Sequence, residues 1–577
     1  MTFAVRSKTS CLALLAVLQA WSAVPGGPVF GHPVLVARGS GRQDRQSIIP
    51  IVGAGQSPAG REPAQMSSAA EATNSLGELQ ARIGAVVSQP RFALADWGID
   101  VVSLDTGQVM FEHNGCKHFV PASNAKLFTA ALALDRLGPD YRIETSLYAT
   151  RKPDATGTLK GDLIIFGRGD PGFTDVGAVR GSYTALMPLV ALLESAGVRR
   201  IKGDLIGDES YFSGAPFGAG WGWEDLQWAY GAEVSALSID DNSASLLVKP
   251  GGKAGFPCQA SVEPATGLVT VVNRALTSPA SGPRWIRVYR PVGENTVYVS
   301  GRLPLGDAGY QGRVAVHKPA SLFLQLLHRA METRGISVVG RERVADWNDR
   351  EASPLDLSKL ILLGSVKSRP IAEIVKDTMK RSQNLYAELL LLQVGVISSQ
   401  FIATRSVAVP GSSTPASVAT EGQGTGEQLQ PTTEELGLRA MSSLLGELSP
   451  CSGHVLLEEG AGLSRRDLVT AASIVALLSW MSHHKCADIF RESLPVAGMD
   501  GTLRGRMKNT LAASNVRAKT GTLKFVNALS GYATTAAGER LAFSILLNNY
   551  SPSDGSDPAS SSLDSILGML VSFTGHS

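Results

Sequence analysis

Three short runs hold the side chains whose types and spacing can do chemistry: Ser123-Asn124-Ala125-Lys126, Ser382-Gln383-Asn384 and Lys519-Thr520-Gly521-Thr522. In the first, a serine and a lysine three residues apart share one face of a helix, so the amine of Lys126 can reach the hydroxyl of Ser123 and take its proton. That requires a neutral amine, which burial or a nearby cation favours. Backbone N–H groups at a helix start also favour negative charge developing beside the serine. Ser-x-x-Lys alone is a weak pattern, because the chain repeats it at Ser482-His483-His484-Lys485, where nothing nearby suggests chemistry.

The other two runs supply what an acyl-transfer site still lacks. Ser382 can relay a proton to a departing amine and Asn384 can hold a substrate backbone. Lys519, with the hydroxyls of Thr520 and Thr522, makes a cationic pocket suited to a free carboxylate. Gly521 lets a strand come close to a substrate that binds as an added strand. The backbone N–H groups of Ser123 and Thr522 form the expected oxyanion hole, worth about 3–4 kcal/mol per donor.

Stepping outward, the elements that must carry these runs follow from periodicity. Leu127, Ala130, Ala131 and Leu134 continue from Ser123 at helical spacing, which predicts a helix with one buried stripe and Ser123 in its first turn. Strands are expected at Gly98 to Leu104 and Gln108 to His113, joined by Asp105-Thr106-Gly107. A helical pattern before them runs from Ser75 to Val87. From about Ile143 to Arg343 the chain reads as an inserted, mainly β module of about 200 residues, a usual domain size. Its expected strands include 161–166, 265–272, 285–289 and 297–301, and a helix is expected over Pro319 to Gly335. Helix returns from Pro370, through the apolar run after Ser382, and again over Thr432 to Leu448 and Val469 to Ser482. The C-terminus reads as strands at Ser514 to Gly521, Phe525 to Thr534 and Arg540 to Asn548, then a helix over Leu563 to Phe573. The expected organisation is therefore one α/β domain from residues 75–142 and 346–577, its sheet drawn from both ends of the chain. The module 143–345 buds from its middle, and a low-complexity stretch at 398–430 reads as a disordered surface loop.

The chain has 577 residues, 44% of them hydrophobic, with 53 Lys and Arg against 51 Asp and Glu. That balance gives no electrostatic case for nucleic acid, and no basic and aromatic patch revives one. Arg6 and Lys8 ahead of the apolar run Cys11 to Val17, then Ala20-Trp21-Ser22, read as an export signal over 1–22, followed by a flexible tether at 23–74. Export to a periplasm or cell envelope is expected, with peripheral membrane association at most. An organelle transit signal is the alternative, since no acidic residue precedes Asp44. Cys116, Cys258, Cys451 and Cys486 remain after cleavage and allow three disulfide connectivities. No Cys-x-x-Cys or His-Glu-x-x-His spacing occurs, so neither a metal nor another cofactor is expected.

Ser-x-x-Lys, Ser-x-Asn and Lys-Thr-Gly in this order resemble the signature of penicillin-binding proteins and serine β-lactamases. The long span between Lys126 and Ser382 resembles more narrowly the class C low-molecular-mass penicillin-binding proteins, the D-alanyl-D-alanine carboxypeptidase/endopeptidases. Supporting runs are Gly169-Asp170-Pro171, Gly222-Trp223-Glu224-Asp225, Val234-Ser235-Ala236-Leu237, Gly462-Leu463-Ser464-Arg465 and Leu494 to Leu503. The resemblance implies a serine β-lactamase/DD-peptidase-like transpeptidase domain, an insert divided into two smaller modules, and no cofactor. It implies hydrolysis of peptidoglycan stem peptides ending in D-Ala-D-Ala through a Ser123 acyl-enzyme, extending to D-Ala–diaminopimelate cross-links, with β-lactam antibiotics as covalent inhibitors. It also places Asp225 where an acid suits the amino group of a diaminopimelyl side chain. Arg168 stands where the family prefers Gly, Glu459 and Ala461 depart from a usual Asp-Gly-Ser-Gly, and the 398–430 stretch is extra. A β-lactamase is the enzymatic rival, disfavoured because no separate Glu motif is placed to activate water. A wall-binding protein that kept the fold is the non-enzymatic one.

Overall fold

A computed structural model of the chain describes residues 73–174, 183–407, 430–446, 448, 455–552 and 558–577. The expected export signal, nearly all of the tether, Cys451 and most of the 398–430 stretch lie outside the described residues. The first part of that stretch is helical backbone, continuing the helix Asn384–Val407 rather than starting a loop.

The central sheet is antiparallel and runs Arg517–Leu523, Val526–Thr534, Arg540–Asn548, Asp96–Ser103, Val109–His113. It is drawn from both ends of the chain, as the strand pattern implied. Strand Arg540–Asn548 is an almost unbroken apolar run because it is covered on both faces. Phe543, Ile545 and Leu547 face the core beneath the terminal helices, while Ala542 and Leu546 face the helical layer. The terminal helices are Leu76–Val87, capped by Ser75, and Ala559–Val571.

On the opposite face lies the serine helix, Ala125–Arg136. Every residue from Ala125 to Leu134 is buried, so the single stripe expected from its spacing is a fully enclosed helix. Helices Ile371–Arg381, Asn384–Val407 and Ala471–His483 share its core. The second Ser-x-x-Lys is a helix end, with Ser482 donating to Ser479 O at 2.7 Å and His484 beside Asp135 at 3.3 Å.

The intervening segment contains a mixed five-stranded sheet in the order Glu342–Ala345, Leu205–Asp208, Leu163–Phe166, Glu144–Ala149, Ile361–Lys367. Its last strand comes from beyond residue 345, because Glu144–Ala149 takes Ile361–Lys367 as its outer partner. Helices Met187–Ser195 and Pro319–Thr333 are packed in its core, the first of them not foreseen from sequence. Among the described residues, three three-stranded sheets complete the module. The strand expected at 265–272 is found instead at Thr270–Ser278, after the Gly267 turn. Cys258 and Cys486 are buried free thiols, which removes every connectivity that pairs either of them.

Phe543 is fully buried in the middle strand of the sheet. Phe543→Ala is expected to lower stability by about 3–5 kcal/mol, the cost of a large cavity in a close-packed core, read as a fall in the urea unfolding midpoint.

Candidate active site

Ser123 lies in a short 3-10 turn, Ala122–Asn124, which leads into the serine helix instead of forming its first α-helical turn. The turn is strained, with Ala122 at φ +48°, and three distant segments hold it. Val120 exchanges hydrogen bonds with the Asn548 side chain at 2.9 and 3.2 Å. Asn124 Nδ2 donates to Ser530 Oγ at 2.7 Å, and Phe119 bridges to Val469. The sheet therefore sets where the hydroxyl stands.

Lys126 is fully buried directly behind it. Its Nζ donates to Ser123 Oγ at 3.0 Å, to Asn384 Oδ1 at 2.6 Å and to Ala461 O at 2.5 Å. Burial lowers its pKa to about 8 against the pull of Glu459, Glu388 and Asp467, so the neutral form is a minor fraction near pH 7 and grows as the pH rises through 8. The amine is thus both aimed at the serine and able to accept its proton.

Ser382 caps the helix Ile371–Arg381 in the left-handed conformation, φ +58°. This kink turns its hydroxyl to Lys519 Nζ at 2.8 Å. Asn384 opens the next helix. While Oδ1 serves Lys126, Nδ2 donates to Tyr230 O at 2.8 Å.

The Lys519 run sits inside the edge strand Arg517–Leu523, not at its end. Ala518 N–H donates to Pro495 O, away from the neighbouring strand. The two-residue repeat points the N–H groups of Thr520 and Thr522 to that same edge. Gly521 faces the serine turn: a Cβ there would stand 2.7 Å from Pro121 O and 3.2 Å from Ala122 Cβ. Lys519 is fully buried, and burial together with Lys126 holds its amine well below the usual lysine range. A substrate carboxylate would provide the missing counter-charge. The Thr520 hydroxyl bonds Thr502 Oγ1 at 2.7 Å, so it reaches away from the Lys519 amine, while Thr522 is exposed.

Asp225 is half-buried and accepts from Tyr230 OH at 3.0 Å. Burial raises its pKa, and Arg465 opposes the rise. Because the Tyr230 carbonyl is held by Asn384, the Asp225 loop is tied directly to the catalytic cluster.

Sequence reasoning missed the carboxyl cluster beneath Lys126. Glu459 is buried and accepts the N–H groups of Ala461 at 2.7 Å, Gly462 at 2.5 Å, Leu463 at 2.9 Å and Ser464 at 3.3 Å. Burial alone would raise its pKa, but these donors and the neighbouring acids Glu388 and Asp467 hold it ionised. Burial and Glu459 push Asp467 up to about 10 and Glu388 well above the usual range, so both stay protonated. The loop Glu459 gathers presents Ala461 O to Lys126. Ala461 thus contributes only a carbonyl, and Glu459 retains a carboxylate where the usual run has Asp. The clue in sequence was Gly460-Ala461-Gly462 next to an acid, without any sign that the acid is buried. Arg168, the other departure, is structural: its Nη1 donates to Glu144 O at 3.0 Å and Ser146 Oγ at 2.8 Å.

The sequence profile of the D-Ala-D-Ala carboxypeptidase 3 (S13) family matches residues 79–409 and 422–567. The chain belongs to that family. A D-alanyl-D-alanine carboxypeptidase of Actinomadura sp. (strain R39) is 33% identical over 516 residues, covering 87% of this chain and 86% of the relative. The D-alanyl-D-alanine carboxypeptidase DacB of Haemophilus influenzae is 28% identical over 460 residues, covering 79% and 86%. The crystal structure of penicillin binding protein 4 (dacB) from H. influenzae superposes with a TM-score of 0.67 at 27% identity, covering 84% of this chain and 97% of that one. The first matched stretch runs without a break across the segment between the Lys126 and Ser382 runs.

Two outcomes test the site. Gly521→Ala must push the edge strand off Pro121 O, and acylation by penicillin is expected to fall by about tenfold or more, measured by stopped-flow labelling. Because Lys126 accepts a proton only when neutral and titrates near 8, the acylation rate is expected to rise with pH through about 8 and level off above it. A rate independent of pH between 6 and 9, read on the same labelling assay, contradicts that role for the amine.

Proposed function

We propose that the chain is a serine-type D-Ala-D-Ala carboxypeptidase acting on peptidoglycan stem peptides through an acyl-enzyme on Ser123. The observation that carries this reading is the contact of Lys126 Nζ with Ser123 Oγ at 3.0 Å, made by an amine that burial brings to about 8. Family membership supports the same reading.

The stem peptide lies along the open edge of the Arg517–Leu523 strand, its terminal carboxylate toward Lys519. Ser123 Oγ attacks the carbonyl carbon of the scissile amide as its proton passes to Lys126 Nζ. The N–H groups of Ser123 and Thr522 receive the oxyanion. Collapse breaks the C–N bond, and the departing amine takes a proton through Ser382, leaving D-Ala free and the peptide esterified to Ser123. Water then hydrolyses the ester with Lys126 again as base. A β-lactam follows the first half of this path, since its strained amide stands in for the terminal one. A solved complex of the H. influenzae protein with a β-lactam carries the same fold.

Asp225 and Arg465 add side-chain selectivity. Opposite charges close to one another beside the substrate strand suit a zwitterionic side-chain terminus, such as that of a diaminopimelyl residue, and the same contact would serve cleavage of D-Ala–diaminopimelate cross-links. The Asn384 contact to Tyr230 O supports this placement.

Incubation with a D-Ala-D-Ala-terminated peptide is expected to release D-Ala, to lose that release with Ser123→Ala, and to favour diaminopimelyl over alanyl side chains less with Asp225→Asn. Release undiminished in Ser123→Ala, scored by an enzyme-coupled D-Ala assay, would overturn the acyl-enzyme.

A further inference from the structure

We propose that one face of the inserted module is a docking surface for peptidoglycan, taking the sugar rings of its glycan strand and the carboxylates of the stem peptides attached to it. The face belongs to the three-stranded sheet Thr270–Ser278, Thr296–Pro304, Trp285–Tyr289. Its inner side is an apolar core: Val297, Val299, Leu303, Ala275 and Val288 are all buried. Alternation then forces the intervening residues outward. Those residues are Trp285, Arg287 and Tyr289 on one strand, Tyr298 and Arg302 on the middle strand, and Arg274 on the third.

Register arranges them in rows across the sheet. Tyr289 lies opposite Tyr298, with ring centroids 6.2 Å apart and stacked. In the next row Ser300 has Arg287 on one side and Arg274 on the other. In the third row Trp285 lies opposite Arg302. Successive rows are about 7 Å apart along the strands, from the rise of two residues. The surface thus alternates ring, cation and ring with cation.

Two features make this face unlike an ordinary solvated one. Trp285 and Tyr289 are 47% and 50% exposed, large ring areas left in water. No residue of the three strands is acidic, and among the described residues no carboxylate pairs with Arg274, Arg287 or Arg302. Arg284, immediately before the strand, does have such a partner in Asp307 at 2.8 Å. Three guanidinium groups without a carboxylate partner, of which Arg274 lies over the Tyr298 ring at 5.9 Å, are a local excess in a chain of net charge +2, and a negatively charged partner would relieve their mutual repulsion. No single stretch of sequence reveals this basic and aromatic cluster, because the strands that build it interleave only once paired.

Flat aromatic rings take the apolar faces of sugars, and guanidinium forks take carboxylates. The occupant that fits is a glycan strand whose attached peptides bear free carboxylates, and the polymer that carries the stem peptide is the source. That last step rests on the function proposed above. The sheet would then hold the insoluble polymer while its peptides are processed elsewhere on the molecule.

The full chain, pretreated with benzylpenicillin so that retention cannot arise at Ser123, is sedimented with purified insoluble peptidoglycan. Retention is expected. It should fall about tenfold in Trp285→Ser, the loss of one stacking contact, and at least about tenfold in Arg287→Gln/Arg302→Gln, the loss of two ion pairs. Peptidoglycan with its carboxyl groups amidated, and neutral chitin, should retain little protein. D-Ala release from a soluble peptide is the independent control and should be unchanged in these variants, which alter exposed side chains only. Wild-type retention by both variants, equal retention on chitin, or tighter binding to a single-stranded oligonucleotide than to peptidoglycan overturns the docking surface. Failure of D-Ala release with retention intact would count against the catalytic reading alone.

Discussion

A lysine amine kept out of water is the constraint on which the rest of this structure depends. Nζ of Lys126 has three oxygen neighbours, supplied by Ser123, Asn384 and Ala461. They come from three segments that are remote in the chain, so the helical layer, the insert boundary and the sheet must all be in register before the amine is held. An ammonium in that position would be costly to desolvate, and the neutral form is the one that can take a proton. Fold and reactivity are therefore the same problem at this point.

The surroundings balance that burial without abolishing it. Glu459 is the ionised member of a buried trio, flanked by two carboxyl groups that keep their protons. A single negative charge nearby moderates the fall in the Lys126 pKa, whereas three would restore the ammonium. Glu459 also spends its oxygens on four backbone N–H groups, which fixes the loop that presents Ala461 O. On the other side, among the described residues, no carboxylate pairs with Lys519. Its amine leans on Ser382 and a backbone carbonyl.

The insert takes part in the site through a short hydrogen-bonded relay. Asn384 holds the carbonyl of Tyr230, and the Tyr230 hydroxyl holds Asp225. A second tie lies one residue from Ser382, where Arg381 and Arg313 converge on buried Asp241 at 2.8 Å each. Asp241 is held with φ +54° between two more left-handed residues, strain that this ion-pair network sustains. The module is thus wired to the residue that must hold the left-handed kink at Ser382.

What could be read from sequence was whatever depends on neighbours along the chain. The strands at 540–548 and 285–289, the order of the three reactive runs and the sheet drawn from both termini all follow from period-two and period-three-to-four patterns, which are local. The same patterns failed where packing is set by distant segments. The serine helix is enclosed on every side, Ser123 precedes it in a 3-10 turn, and Lys126 owes its lowered pKa to burial against the opposing pull of acids 388, 459 and 467. None of these could be deduced from spacing, because burial and the dielectric around a charge are properties of the assembled core. The sequence determined which groups were available to react. Only the tertiary structure decided which amine is neutral, which carboxyls keep their protons, and which arginines are left facing water without a partner, since each depends on groups brought together across the chain.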